Sequence, residues 1–220
     1  GMTRTFIEVP LFTKRWSEIG LNDDDLRQLQ IMLLKDPESG PVIEGTGGIR
    51  KVRFPLENRG KSGSVRVCYT DFAEYEVTYL ITAFTKKEQE NLSDDEKKVL
   101  RKLENHSVTQ NGQEAAKMSS LFDDLQEGLL QAIDYAKGKG PAQTITYTID
   151  PVIKLNKDQI REIRIQAQMT QSVFADYLGV SVKTVEAWER GRTHPTGPAY
   201  RLMSFLAQNQ IHSLPFISAE

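Results

Sequence analysis

The chain has 220 residues with 28 Lys+Arg against 30 Asp+Glu, 39% hydrophobic residues and one cysteine. That length fits one large domain or two small ones, and two is the preferred reading. The composition supports ordinary globular cores. The chain has no apolar run of the roughly 20 residues a spanning helix needs and no signal-peptide core, so the expectation is a soluble, cytoplasmic protein. A single Cys68 excludes a disulfide framework and a Cys-rich zinc site, and the scattered His106, His194 and His212 argue against metal- or His-based chemistry. No metal and no cofactor is expected. The near-zero net charge speaks against a nucleic-acid partner only if charge is evenly spread. It is near neutral on either side of Met118, with 18 basic and 19 acidic residues before it and 10 and 11 from it onward. What matters is therefore where the bases sit.

In chain order, Phe12, Trp16 and Ile19 recur at helical spacing, and Asn22 followed by three aspartates starts a second helix carrying Leu26, Leu29 and Leu33, which Asp36-Pro37 ends. Turn-rich sequence at 40–48 leads into three expected strands, 49–55, 64–70 and 75–85, rich in β-branched and aromatic residues. Ser93 with Glu96 makes a capping box and opens a helix with Val99, Leu100 and Leu103 on one side. Residues 105–117 lose apolar periodicity and have the composition of a linker or tail. A new pattern begins at Met118: Leu121, Phe122, Leu125, Leu129, Leu130 and Ile133 predict an amphipathic helix over 119–137, stopped by the Gly138 to Pro141 turn. A short strand is expected at 144–149, and the remainder is helical to about Gln208, with breaks at Gln168-Met169, at Gly179 and from Gly191 to Pro198.

The most specific signal is TQSVFADYLGVSVKTVEAWERG, Thr170 to Gly191. A first helix would bury Phe174, Ala175 and Leu178 and a second Val185 and Trp188, with Gly179 at the turn and Ser181 capping the second helix. This stretch resembles the helix-turn-helix of phage-repressor-like regulators. Together with HPTGPAYRL, the surrounding 118–208 pattern is similar to the HigA class of antitoxins. The resemblance implies that the second helix enters the major groove of operator DNA. Ser181, Val182, Lys183, Thr184 and Ala187 would face the bases, Lys183 donating to guanine and Val182 and Ala187 touching thymine methyls. Gln171, Arg190, Arg192 and Thr193 are the phosphate candidates. It also implies a homodimer through this half.

Upstream, strand alternation in 49–55 puts Lys51 and Arg53 on one face and Arg50, Val52 and Phe54 on the other. Arg66 lies on the next strand, and Lys86 and Lys87 close the third, so four or five cations converge on one sheet. The order of helix hairpin, antiparallel sheet and C-terminal helix, with GTGGIRKVRF, GKSGSVRVCY and AFTKKEQENLSDDEKKVL, resembles the HigB branch of the RelE/ParE toxin superfamily. The resemblance implies an α+β domain that cleaves messenger RNA on the ribosome without a metal, a ribose 2′-OH attacking the adjacent phosphate. By motif position it assigns Lys51, Arg53, Arg66 and Lys87 to catalysis. Arg66 and Lys87 would stabilise phosphate charge, and Lys51 would act as base or further stabiliser. Gln89 to Ser93 stand where relatives often place a tyrosine or histidine, so the acid and base stay unassigned. Tyr69 and Tyr79 read as core by strand parity, Cys68 as a small buried hydrophobe. Gly60-Lys61-Ser62 is not a Walker motif, since Pro55 stands where its first glycine belongs.

The expected layout is a toxin-like domain over 2–104, a linker over 105–117, a toxin-neutralising segment over 118–150, an all-α helix-turn-helix domain over 151–210 and a tail over 211–220. Neutralisation would use the helix 119–137 or the strand 144–149, within one chain at high effective concentration or between chains. The alternatives are a gyrase-binding ParE-like toxin on the same fold, or a transcription regulator whose N-terminal domain only makes protein contacts.

Overall fold

A computed structural model of the chain describes residues 2–56, 64–85, 92–104, 120–208 and 216. Residues 2–148 form one compact unit and 149–220 a second. No helix among the described residues is long and apolar enough to cross a membrane.

In the first unit, β1 (Met2–Glu8) leads into α1 (Pro10–Ile19) and α2 (Asp23–Lys35). Pro10 is tolerated at the first turn of α1 because its missing N–H has no intrahelical acceptor there. Gly20 ends α1 in the left-handed region at φ 90°, and Asn22 with Asp25 forms a reciprocal capping box that starts α2. Then come β2 (Arg50–Pro55), β3 (Ser64–Phe72), a short 3-10 turn at Ala73–Tyr75, β4 (Val77–Thr85) and α3 (Asp94–Glu104). The Ser93–Glu96 capping box is formed, with Glu96 N donating to Ser93 Oγ at 3.2 Å and Ser93 N to Glu96 Oε1 at 2.8 Å.

The three expected strands pair antiparallel in the order β2-β3-β4. Two more strands extend this sheet to the order β2-β3-β4-β1-β5. The first is β1, parallel to β4 with Phe6 opposite Thr78. It has no clear sequence signal, because MTRTFIE mixes polar and apolar residues without a clean period of two. The second is β5 (Gln143–Ile149), at the far edge.

Between them comes α4 (Ser120–Ala136), which Gly138 stops at φ 73°. Its Leu121, Phe122, Leu125, Leu129, Ala132 and Ile133 are all buried in the same core as Phe12, Leu29, Val67 and Leu100. The segment downstream of Met118 thus folds with the N-terminal sheet, and Met118 itself lies outside the described residues.

The β3–β4 ladder carries one irregularity. Cys68 pairs with Thr82 but Tyr69 pairs with Leu80, so Ile81 is an extra, bulged residue. α4 presses on that bulge through Gly128, where an added Cβ would stand 2.5 Å from Ile81 Cγ2 and 2.8 Å from the Ile81 carbonyl oxygen. Only glycine permits this approach.

The second unit has four helices, α5 (Lys157–Gln166), α6 (Gln171–Leu178), α7 (Val182–Glu189) and α8 (Gly197–Ala207). They close around Ile160, Phe174, Ala175, Leu178, Val185, Trp188, Tyr200 and Met203. Gly179 joins α6 to α7 at φ 71°, the left-handed turn residue that the sequence required.

Candidate functional sites

On the sheet, register decides which side chains meet. Lys51, Cys68 and Thr82 stand opposite one another in one row, and Arg53, Arg66 and Phe84 in the next, all on one face. Val52, Phe54, Val65 and Val67 take the opposite, buried face. Arg53 is exposed, and Lys51 and Arg66 are half-buried. Arg66 donates to Ser64 Oγ at 2.7 Å. None of the three has an acidic partner among the described residues. Like charges directly across a ladder are destabilising, so the Arg53–Arg66 pairing is a cost to the fold that an anion would relieve.

The other candidates on this half fare differently. Lys86, Lys87 and Gln89 to Asn91 lie outside the described residues, as does the Gly60 turn. Arg50 is structural: its Nη1 donates to the Gly40 carbonyl at 2.9 Å, clasping the loop before β2. Tyr69 is fully buried; its hydroxyl donates to the Pro37 carbonyl at 2.8 Å and accepts from Gly40 N at 3.0 Å. Burial pushes its phenol, and that of half-buried Tyr79, above the ordinary range. Cys68 is fully buried, and burial drives its thiol up to about 12, as expected of an inert core cysteine.

Sequence patterns did not reveal how 120–148 engages the sheet unit. Asp124 on α4 takes Arg15 Nε and Nη2 in a two-pronged pair, 2.9 Å each, and also accepts from the Thr82 hydroxyl at 3.2 Å. Gln131 Oε1 accepts from the Leu11 backbone N–H at 2.8 Å, satisfying an orphan donor in the first turn of α1. On β5, Tyr147 packs edge-on against Phe6 with ring centroids 5.8 Å apart and donates to Gln30 Oε1 at 2.8 Å, while Thr146 and Thr5 hydroxyls meet at 2.8 Å. Asp124, Gly128 and Gln131 stand at i, i+4 and i+7, one helix face. The apolar stripe beside it was legible, Leu130 apart, which is exposed, but this polar face and its partners were not.

In the second unit, Ser181 caps α7 through its Oγ, which accepts from Thr184 N at 3.2 Å. Ser181, Val182 and Lys183 are exposed and Thr184 and Ala187 half-exposed; Lys183 and Ala187, four residues apart, share the side of α7 away from buried Val185 and Trp188, and Val182 and Thr184 flank it. Arg190, Arg192 and Thr193 follow, all exposed. Gln171 departs from this picture: its Nε2 donates to Glu189 Oε2 at 2.8 Å, so its amide group is engaged within the unit. Glu189 also receives Arg164 Nε at 2.5 Å and Nη2 at 3.1 Å, a pair whose side chains are 13% and 6% exposed. Burial alone would raise the Glu189 carboxyl, but the hydrogen bonds from Arg164 and Gln171 outweigh it and hold it below its ordinary value. Sequence reading missed this buried ion pair, for which 25 residues of separation leave no periodic signal.

Comparison with known proteins follows the same division. Residues 13–130 match the RelE toxin family of RelE/RelB toxin–antitoxin systems, a span that runs past Met118 into α4. Residues 160–203 match the helix-turn-helix family. The chain is also 33% identical over 89 residues to antitoxin HigA-2 of Vibrio cholerae serotype O1, covering 40% of this chain and 86% of that protein. Arginines without an acidic partner among the described residues on an α+β sheet, a helix packed on that sheet, a further strand at its edge, and a helix-turn-helix later in the chain agree with these matches: the chain belongs to the RelE toxin family and, in the same polypeptide, to the HigA-like antitoxins, as a fused HigB–HigA-like toxin–antitoxin module.

Proposed function

We propose that the toxin half is a metal-independent, ribosome-dependent messenger RNA endonuclease, held inactive by α4 and β5, and that the second unit binds operator DNA as a homodimer and represses the module's own promoter. The observation that carries the nuclease reading is Arg53 set directly opposite Arg66, with Lys51 in the adjoining row. In-line attack by a ribose 2′-OH builds negative charge on the phosphorane oxygens, and preorganised cations there stabilise the transition state more than the ground state. Arg66, with Lys87, takes that charge; Lys51 is the base or an additional stabiliser; Arg53 holds the neighbouring backbone. For the second unit, Lys183 and Thr184 read base edges while Arg190, Arg192 and Thr193 hold phosphates.

The decisive experiment expresses residues 2–117 alone in growing bacteria and maps the 5′ ends of transcripts. Cuts in phase with codons are expected. Growth arrest with intact messages would point to gyrase instead, and normal growth with the fragment soluble and folded would remove the toxin reading for this half. Arg66→Ala is expected to abolish the cuts.

A further inference from the structure

The contact between Asp124 and the toxin half has the chemistry of a phosphate site with a carboxylate in it. Arg15 offers Nε and Nη2 side by side, 2.9 Å from the two oxygens of Asp124, and Thr82 adds a hydroxyl donor at 3.2 Å. That fork takes a phosphate in the same two-pronged way as a carboxylate. The hydrogen bonds from Arg15 to Asp124 and then to Glu18 outweigh burial and strengthen the guanidinium's hold on its proton. An ordinary exposed ion pair contributes little, but this one rests on Thr82, which is 0% exposed, and Asp124 is 17% exposed.

Its position links it to the cationic row. Thr82 shares a row with Lys51, and Phe84, two residues or about 7 Å further along β4, shares the next row with Arg66 and Arg53. Phe84 is 4% exposed and lines, with Arg15, Ser120, Leu121 and Asp124, a crevice of about 180 Å³. An aromatic ring flanked by cations on both sides is the arrangement that binds single-stranded nucleic acid, the ring stacking a base and the cations holding phosphates.

We propose that Arg15 and Thr82 form a second phosphate subsite of the toxin for single-stranded RNA, with Phe84 as the stacking platform between it and Arg66. In the fused chain Asp124 stands where a phosphate of the substrate sits, and the start of α4 covers the ring on which a base stacks. Inhibition by α4 is then direct competition with RNA. This rests on the nuclease reading above.

The test uses the full chain and a short fluorescent 2′-O-methyl RNA, whose attacking hydroxyl is blocked, followed by anisotropy over a salt series. Gly128→Leu, which cannot seat on Ile81, is expected to bind at least about tenfold tighter than the parent chain. Adding Arg15→Ala to it is expected to weaken binding about tenfold and to flatten the slope of log K against log salt by about 0.7, one phosphate contact on a single strand. If Arg66→Ala weakens binding in that background and Arg15→Ala does not, the subsite falls and the nuclease surface stands. If neither matters, the nuclease reading falls and takes the subsite with it. Should Gly128→Leu fail to fold, Asp124→Asn decides the matter: inorganic phosphate is expected to shift the Arg15 Nε–H resonance in that variant and not in the parent, and no shift overturns the proposal.

Discussion

Replacing Gly128 by alanine tests whether α4 is seated on the β4 bulge. In the interior of a helix this change normally stabilises by about 0.5–1 kcal/mol, because alanine restricts the unfolded chain more. Here the new methyl would stand 2.5 Å from Ile81 Cγ2 and 2.8 Å from the Ile81 carbonyl oxygen. The Ile81 side chain can turn aside, but the carbonyl is fixed in the sheet. Ordinary contact begins near 3.4 Å, so α4 must retreat by about 0.6 Å from an oxygen that cannot move. A gap of that size forfeits roughly a quarter to a half of each dispersion contact along Leu121, Leu125 and Leu129. Overpacking of this kind costs about 1–3 kcal/mol, so the net effect is a loss of about 1–2 kcal/mol in place of the usual gain. The chain has two tryptophans, Trp16 in the first unit and Trp188 in the second. Denaturant unfolding followed by Trp16 fluorescence in a Trp188→Phe background therefore reads the right unit. A melting temperature lower by about 5 °C should accompany it. An unchanged or higher midpoint would refute the close approach of α4 to Ile81.

Three further outcomes are expected. Burial raises the Glu104 carboxyl at the end of α3 from its ordinary 4.5 to about 7, so the folded state holds this proton more tightly than the unfolded one. Its contribution is full below about pH 4.5 and is lost as pH rises to about 7, at most about 3 kcal/mol; Glu104→Gln should flatten the stability–pH curve of the first unit across that window. Glu189→Gln leaves Arg164 buried without its counter-charge and should destabilise the second unit by about 3–5 kcal/mol, read by Trp188 fluorescence, whereas replacing both partners by methionine should cost much less. A Lys183→Ala/Thr184→Ala chain should lose about 1–3 kcal/mol of binding per base contact on a fragment carrying the module's own promoter. Retained affinity and sequence preference would remove α7 as the recognition helix.

The helices were legible because each carries its own local signals: the Asn22 and Ser93 capping boxes, the stop at Gly138 and the left-handed turn at Gly179 all act within a few residues. The cationic face was legible because alternation along β2 fixes which way Lys51 and Arg53 point. What stayed hidden depends on partners far apart in sequence. Arg15 and Asp124 are separated by 109 residues and Arg164 and Glu189 by 25, and nothing in either residue's neighbourhood marks it as half of a pair. β1 was missed because its strand character comes from docking beside β4, not from its own pattern. Gln171 stands at a helix start suited to a phosphate contact, and its bond to Glu189, 18 residues on, has no local signal.

The extra residue in β4 has an effect on how this fold tolerates changes of length. Losing one residue from a strand ordinarily turns every later side chain to the opposite face. At Ile81 the opposite holds: the partners of Thr82 and Leu80 are already the adjacent Cys68 and Tyr69, so a deletion there would leave an unbroken ladder with Thr82 still beside Cys68 and Phe84 beside Arg66. What the deletion would remove is the protrusion that Gly128 is shaped to meet. Along β4, the residues that adjoin the cationic face and the residue that seats α4 are therefore different ones, and insertions or deletions can retune the second while sparing the first.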